Sequence, residues 1–188
     1  VPGLAPPLSE GRLRAFLRTP YLLDMASRLT WAADALPATA RAFRAKCWRE
    51  LVREDQRPAD GMPRRRELAF IDVAYKRAAE LRPFVVPTTT DHEALDALER
   101  ASLLARAGAT RSLYAPAHDV LEDWAVLHWL DEVGDSVGDE AADVAAAMAS
   151  AVGGLPALRR GFKRWLSERL ESNAGAGTAF VLAAMEDE

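Results

Sequence analysis

The stretch Tyr114-Ala115-Pro116-Ala117-His118-Asp119-Val120-Leu121-Glu122-Asp123-Trp124-Ala125 constrains the fold of this chain more than any other. A short apolar run ends at Pro116, a His-Asp pair follows, and an amphipathic segment with Trp124, Leu127 and Leu130 in helical phase comes next. Asp119 stands where a helix N-cap is expected, with Glu122 three residues on, the spacing of a capping box with aspartate as the cap. That places His118 just before a helix start, fixed by the backbone and free to point away from the core.

Proline and glycine punctuate the rest into helical segments. Ser9 begins a first helix with Leu13, Phe16 and Leu17, and Thr19-Pro20 interrupts it because the residue before a proline is pushed out of the α region. Pro20 then starts a second helix, expected to run to about Leu36, with Leu22, Met25, Ala26 and Leu29 in phase. After Pro37 a third helix carries Phe43, Cys47, Trp48, Leu51 and Val52 on one stripe and Arg41, Arg44, Arg49 and Arg53 on the other. The segment from Gln56 to Pro63, with Pro58, Gly61 and Pro63, reads as a linker.

From Arg64 a fourth helix shows Leu68, Ile71, Tyr75, Ala78 and Leu81 in phase and ends at Arg82-Pro83. Phe84-Val85-Val86 suits a short strand. Thr90 with Glu93 predicts a capping box for a fifth helix over Asp91 to Ala107, with Gly108 as its C′ residue. Ala109 to Ala117 is short and weakly alternating, as a strand or small hairpin would be. Beyond the helix at Asp119, Gly134 to Gly138 reads as a turn. An Ala-rich helix from Asp139 to Val152 follows, then one started by Pro156 with Leu158, Phe162, Trp165, Leu166 and Leu170. Ser172 to Thr178 is rich in Gly and Ala, and a short helix is expected over Ala179 to Met185. The expected architecture is mostly α: a helical subdomain over 1–58, a winged-helix-like unit over 64–133, and a helical segment over 134–188.

Bulk composition narrows the function classes. Hydrophobic residues make up 49% of the 188, so a sizeable core can form without disulfides or metal. A net charge of −4 disfavours a dedicated nucleic-acid binder. Cys47 is the only cysteine, which excludes a disulfide framework and a cysteine zinc site. A reducing cytoplasm is the expected compartment. No apolar run reaches the roughly 20 residues of a membrane span. The chain opens on Val1 without an initiator methionine, as expected either of a portion of a larger protein with further sequence upstream or of a chain processed at its N-terminus.

Catalytic constellations are not found in the sequence. No G-x-x-x-x-G-K-[ST] phosphate loop, H-E-x-x-H or G-x-S-x-G is present. Cys47 sits on an apolar stripe and reads as a buried, inert thiol. His92 reads as a surface residue and His128 as a packing residue. Glu122-Asp123 with Asp131-Glu132 reads as an acidic face rather than a paired-carboxylate site. Between Arg41 and Arg66, nine Lys or Arg face four Asp or Glu, a patch suited to phosphate, to an acidic partner surface, or simply to solvent. His118 reads either as a brace for the turn or as a phosphate sensor, because helix N-termini favour anions and an imidazole N–H can donate to a phosphate oxygen.

Leu17-Arg18-Thr19-Pro20-Tyr21-Leu22-Leu23-Asp24-Met25-Ala26 resembles the helix start that follows the nucleotide-binding core of STAND NTPases, the signal-transduction ATPases that include the NACHT and NB-ARC proteins. Ala117-His118-Asp119 is similar to the Met-His-Asp motif that ends the winged helix of that family, matching two of three positions. The likeness runs from about Leu8 to Glu132. It implies that Pro20 packs near an adenine, that His118 senses bound ADP, and that this chain is the regulatory half of a protein whose phosphate loop lies elsewhere. It further implies no cofactor, metal or catalytic residue in this chain itself, ADP or ATP in the intact protein, and an upstream nucleotide-binding domain and self-assembly as partners.

The rival reading is a winged-helix transcriptional regulator with Asp91 to Ala107 as recognition helix. Its leading half carries Asp91, Glu93, Asp96 and Glu99, the wrong sign for a DNA groove.

Overall fold

The computed structural model describes residues 14, 17–32, 36–55, 61–108, 112–137, 141–153 and 155–172. Most of the expected first helix, most of the 56–63 linker and the expected helix over 179–185 lie outside them. The protein is mostly helical, with seven α-helices and one two-stranded sheet among the described residues. It divides into two compact units between Leu68 and Ala69.

In the first unit, α1 spans Pro20–Ser27 and α2 spans Ala40–Cys47, running on into a π-helical turn, Trp48–Arg53. Pro20 is at the first helical position as expected, with Thr19 extended ahead of it. The helix stops at Ser27 rather than near Leu36. Ser27 Oγ donates to the Asp24 carbonyl at 2.7 Å, the Trp31 indole N–H to the Ala26 carbonyl at 2.8 Å, and the Thr30 N–H to Glu50 at 2.9 Å, so side chains take over from the helix ladder. Thr39 caps α2 by accepting from the Ala42 N–H. Trp31 stacks on Phe43 with ring centroids 6.3 Å apart.

The π turn rotates the later residues of the stripe, keeping Trp48 and Val52 buried and leaving Leu51 half-buried. It ends at Glu54, left-handed at φ 61°. Its open carbonyls are met by the buried Arg66, which donates from Nε to Val52 at 2.8 Å and from Nη2 to Leu51 at 2.7 Å. The buried Glu67 accepts from the Trp48 indole and from Arg64, both at 2.7 Å. Arg44 is buried too, so the basic face read from the sequence is partly interior.

Helix α3, Met62–Glu80, runs through the division between the units, which therefore falls inside a helix rather than ahead of Arg64. Its buried residues in the second unit are Ala69, Phe70, Ile71, Val73, Ala74 and Ala78, while Leu68 and Leu81, expected on the core stripe, are exposed. Leu81 takes a left-handed φ of 52° because Pro83 bars Arg82 from the α region and the chain must leave the helix first.

In the second unit α4 spans His92–Arg100, β1 Leu104–Arg106, β2 Tyr114–Pro116, α5 Asp119–Ser136, α6 Ala141–Val152 and α7 Pro156–Ser172. The strands are antiparallel, Leu104 facing Pro116 and Arg106 facing Tyr114, and Val85 adds a single bridge to Tyr114. Two expectations for α4 are corrected. The cap is Asp91, which accepts from the Ala94 N–H at 3.1 Å, not Thr90. The helix ends at Arg100, not Ala107. Ser102 turns left-handed, its N–H meeting the Glu99 carbonyl at 2.8 Å and the Leu103 N–H meeting Leu98 at 3.0 Å, the double bond of a Schellman close with Leu98 and Leu103 both buried. Leu103 and Leu104 thereby join the sheet side of the core, and Gly108 serves the hairpin instead of a helix end.

Helix α5 has buried residues around most of its circumference, Leu121, Trp124, Ala125, Val126, Leu127 and Leu130 among them, although it also carries the carboxylates of Asp119, Glu122, Asp123, Asp131, Glu132 and Asp135. It packs on α6, α7 and β2. A cluster of Val126, Leu127, Leu130, Val144, Met148, Val152, Leu158 and Trp165 forms its far side, each large side chain contributing about 1.5–3 kcal/mol. The helices expected as a separate C-terminal segment thus belong to the same compact unit. Gly134, read as a turn, lies inside α5. A Cβ there would sit 3.2 Å from Met148 and 3.6 Å from Trp165, so the missing side chain admits α6 and α7, and packing overrides propensity.

Gly161 marks the closest approach of α7, where an added Cβ would lie 2.5 Å from Val126 Cγ1. Gly161→Ala is therefore expected to destabilise the protein by about 1–2 kcal/mol, an overpacking cost reduced by the gain of removing glycine from a helix. In a Val126→Ala background the same change should be neutral or stabilising. Urea melts of the four proteins check this, and an equal cost in both backgrounds contradicts the close approach.

Candidate functional site

The hairpin and α5 together position His118. The Ala117 N–H donates to the Leu103 carbonyl at 2.9 Å, holding the exit from β2, and His118 follows in extended conformation, φ −153° and ψ 145°. His118 is itself the N-cap of α5. Its Nδ1 accepts from the Val120 N–H at 3.1 Å, and its carbonyl accepts from the Leu121 N–H at 2.9 Å. A backbone N–H can meet only an unprotonated Nδ1, so the neutral ring carries its proton on Nε2.

This corrects the expectation that Asp119 caps the helix. Asp119 is the first helical residue, and its carboxylate turns to Arg77 of α3, 3.1 Å from Nη2. The acceptor for the helix start comes from the imidazole instead. Arg77 Nη1 also holds Glu122, so one guanidinium spans two carboxylates on the first turn of α5. Asp119 has a largely exposed side chain (82%), whereas Glu122 is buried.

Burial pushes the Glu122 carboxyl above the ordinary glutamate range, and Arg77 only partly offsets it. Burial acts to lower the Arg77 value, but hydrogen bonds and charge from Glu122 and Asp119 outweigh it, so Arg77 stays firmly protonated. The asymmetry has a plain cause: two carboxylates serve one guanidinium, and Glu122 is the deeper group.

An open cleft of about 640 Å³ lies beside this turn, lined among others by Arg77, Arg82, Asp119, Glu122, Asp123 and Arg160. Three cations and three anions make its lining balanced in charge. Arg160 pairs with Asp123 at 3.3 Å and Arg82 with Glu80 at 3.8 Å. His118 does not line the cleft.

The remaining sequence candidates fall as follows. Pro20 is exposed at the start of α1, in the first unit, while His118 and Asp119 belong to the second. Cys47 is fully buried, and burial pushes its thiol far up, away from thiolate chemistry. His92 is exposed and His128 half-buried. Of the acidic face read from the sequence, Glu122 meets Arg77, Asp123 meets Arg160, and Asp131 accepts from the Trp165 indole at 2.9 Å. Within the basic patch, Arg53 pairs with Asp55 at 3.0 Å, Arg64 with Glu67, and Arg66 with Glu54.

Arg77 is the residue that sequence reading missed. Its signal was a lone arginine among Val73, Ala74 and Ala78 on the buried stripe of α3, a position where a charge needs a partner. No protein-family model matches the chain, and no curated protein matches it in sequence.

Glu122 is expected to titrate above the ordinary glutamate value of about 4.3. Its folded value exceeds its unfolded one, so the stability linked to its protonated form is full below the unfolded value and lost as pH rises through the folded value. Arg77→Met should raise it further. An NMR titration of the Glu122 carboxyl carbon reads both, and a value at or below the ordinary one, or no rise in Arg77→Met, contradicts this electrostatic account.

Proposed function

We propose that this chain is the non-catalytic regulatory region of a STAND-type signalling or defence ATPase, coupling nucleotide state to assembly in the cytoplasm. The observation that supports it most is the place of His118, which caps α5 by accepting from the Val120 N–H at 3.1 Å. A helix start favours anions through its N–H groups and its dipole, which is the environment that recognition of a phosphate oxygen requires. Arg77 draws the neighbouring Asp119 carboxylate aside, which lessens its competition with an anion. In this reading Pro20, exposed at the head of α1, meets the adenine, and His118 meets the ADP phosphates, holding the off state. The partners are an upstream nucleotide-binding domain and other copies of the protein.

The DNA-binding alternative is weaker on physical grounds. On α4, the recognition helix of that reading, Glu93 and Asp96 are exposed and Glu99 half-buried beside the exposed Arg100, and the strand cation Arg106 is bound to Asp96 and to Glu99 at 3.1 Å. A groove-binding face needs such cations uncommitted.

Without a phosphate loop, the chain alone should show no ATP turnover and no micromolar Mg-ATP binding by calorimetric titration. Turnover or micromolar binding by the pure chain overturns the regulatory reading. In the intact protein, His118→Ala should weaken ADP binding roughly 10–150-fold, the equivalent of one charge-assisted hydrogen bond at about 1.5–3 kcal/mol, and shift sedimentation toward assembled species. Unchanged affinity and assembly reduce His118 to a helix cap.

A further inference from the structure

Sequence pattern and folded helix disagree about where α5 begins, and the disagreement isolates one side chain. Asp119-Val120-Leu121-Glu122 is a capping box in which aspartate, among the strongest cap residues, accepts from the first-turn N–H groups and Glu122 reaches back to the Asp119 N–H. The folded helix starts one residue earlier, with His118 as cap, Asp119 first and Glu122 fourth. The same residues therefore support two registers one position apart. What separates them is the direction of both carboxylates. In the box they turn inward onto the helix start. In the fold both reach out to Arg77, Asp119 to Nη2 at 3.1 Å and Glu122 to Nη1. A planar fork holds two carboxylates at once, and while it does so neither can close the box.

We propose that Arg77 is a register switch for the start of α5. Engaged with Asp119 and Glu122, it holds the His118-capped register; withdrawn, it lets Asp119 cap the helix and Glu122 close the box, which releases His118 from the Val120 N–H and places it outside the helix. The switch goes beyond the nucleotide reading and stands on the helix geometry alone. Arg77 is accessible to competitors, since its side chain is about a quarter exposed and lines the open cleft. The neighbouring pair, Arg160 with Asp123, is one turn position further on and does not reach the cap.

The test is NMR of the chain, reading the ring nitrogens of His118 and the backbone carbon shifts of Asp119. In the wild type, Nδ1 should be unprotonated, Nε2 protonated and Asp119 helical. Arg77→Met should give loss of the single tautomer, with Asp119 moving to extended shifts. Adding Asp119→Ala removes the competing cap and should restore the wild-type His118 pattern. A folded Arg77→Met protein that keeps the Nε2 tautomer with Asp119 helical overturns the proposal, as does failure of Asp119→Ala to restore it. Should Arg77→Met not fold, Arg77→Lys decides. Its single ammonium cannot fork to both carboxylates, so exchange between two registers should broaden Asp119 and Val120, and one sharp wild-type pattern overturns the switch.

Discussion

The second unit depends on the burial of α5. A helix with buried apolar side chains around most of its circumference is stable only when enclosed, and α5 is enclosed by β2 at its head and by α6 and α7 along its length. Two glycines make the enclosure close. Gly134 makes room for Met148 and Trp165, and Gly161 lets α7 approach Val126. Polar contacts then orient the same helices: the Trp165 indole donates to Asp131, and Arg169 lies over the Trp165 ring at 4.7 Å and near Asp135. Since His118 is the cap of this helix, the burial of α5 sets where His118 stands in the second unit.

Much of this fold was legible in the sequence. The mostly helical class, the start of α1 at Pro20, the phase of Trp124, Leu127 and Leu130, and the strand-like character of Val85 and of Tyr114 all follow from periodicity and proline geometry. What was not legible depends on contacts distant in sequence. Leu103 and Leu104 fit a continuing helix until the left-handed Ser102 diverts them into the sheet. Gly134 looks like a turn unless Met148 and Trp165 are known to need its space. Leu68 and Leu81 fit the helical stripe of α3, but the buried arc runs through Phe70, Val73 and Ala74.

The candidate site shows the same division. Local rules placed a helix start beside His118 and assigned its cap to Asp119, the stronger capping residue. The assignment failed because Arg77, 42 positions before Asp119 in the sequence, draws that carboxylate away. No local pattern contains that interaction. It makes the cap of a histidine that reads in the sequence as a turn brace or a phosphate sensor, and so turns Nδ1 toward the Val120 N–H. The nucleotide-sensing proposal rests on the place of His118 at the start of α5 together with the resemblance of short motifs around Pro20 and His118.

Native-state hydrogen exchange tests most directly the claim that α5 is the element on which the second unit depends. The amides of Trp124 to Leu130 should exchange only through global opening of the unit, at least as slowly as any in α6 or α7. Exchange of these amides through local opening, while α6 and α7 stay protected, would contradict the account.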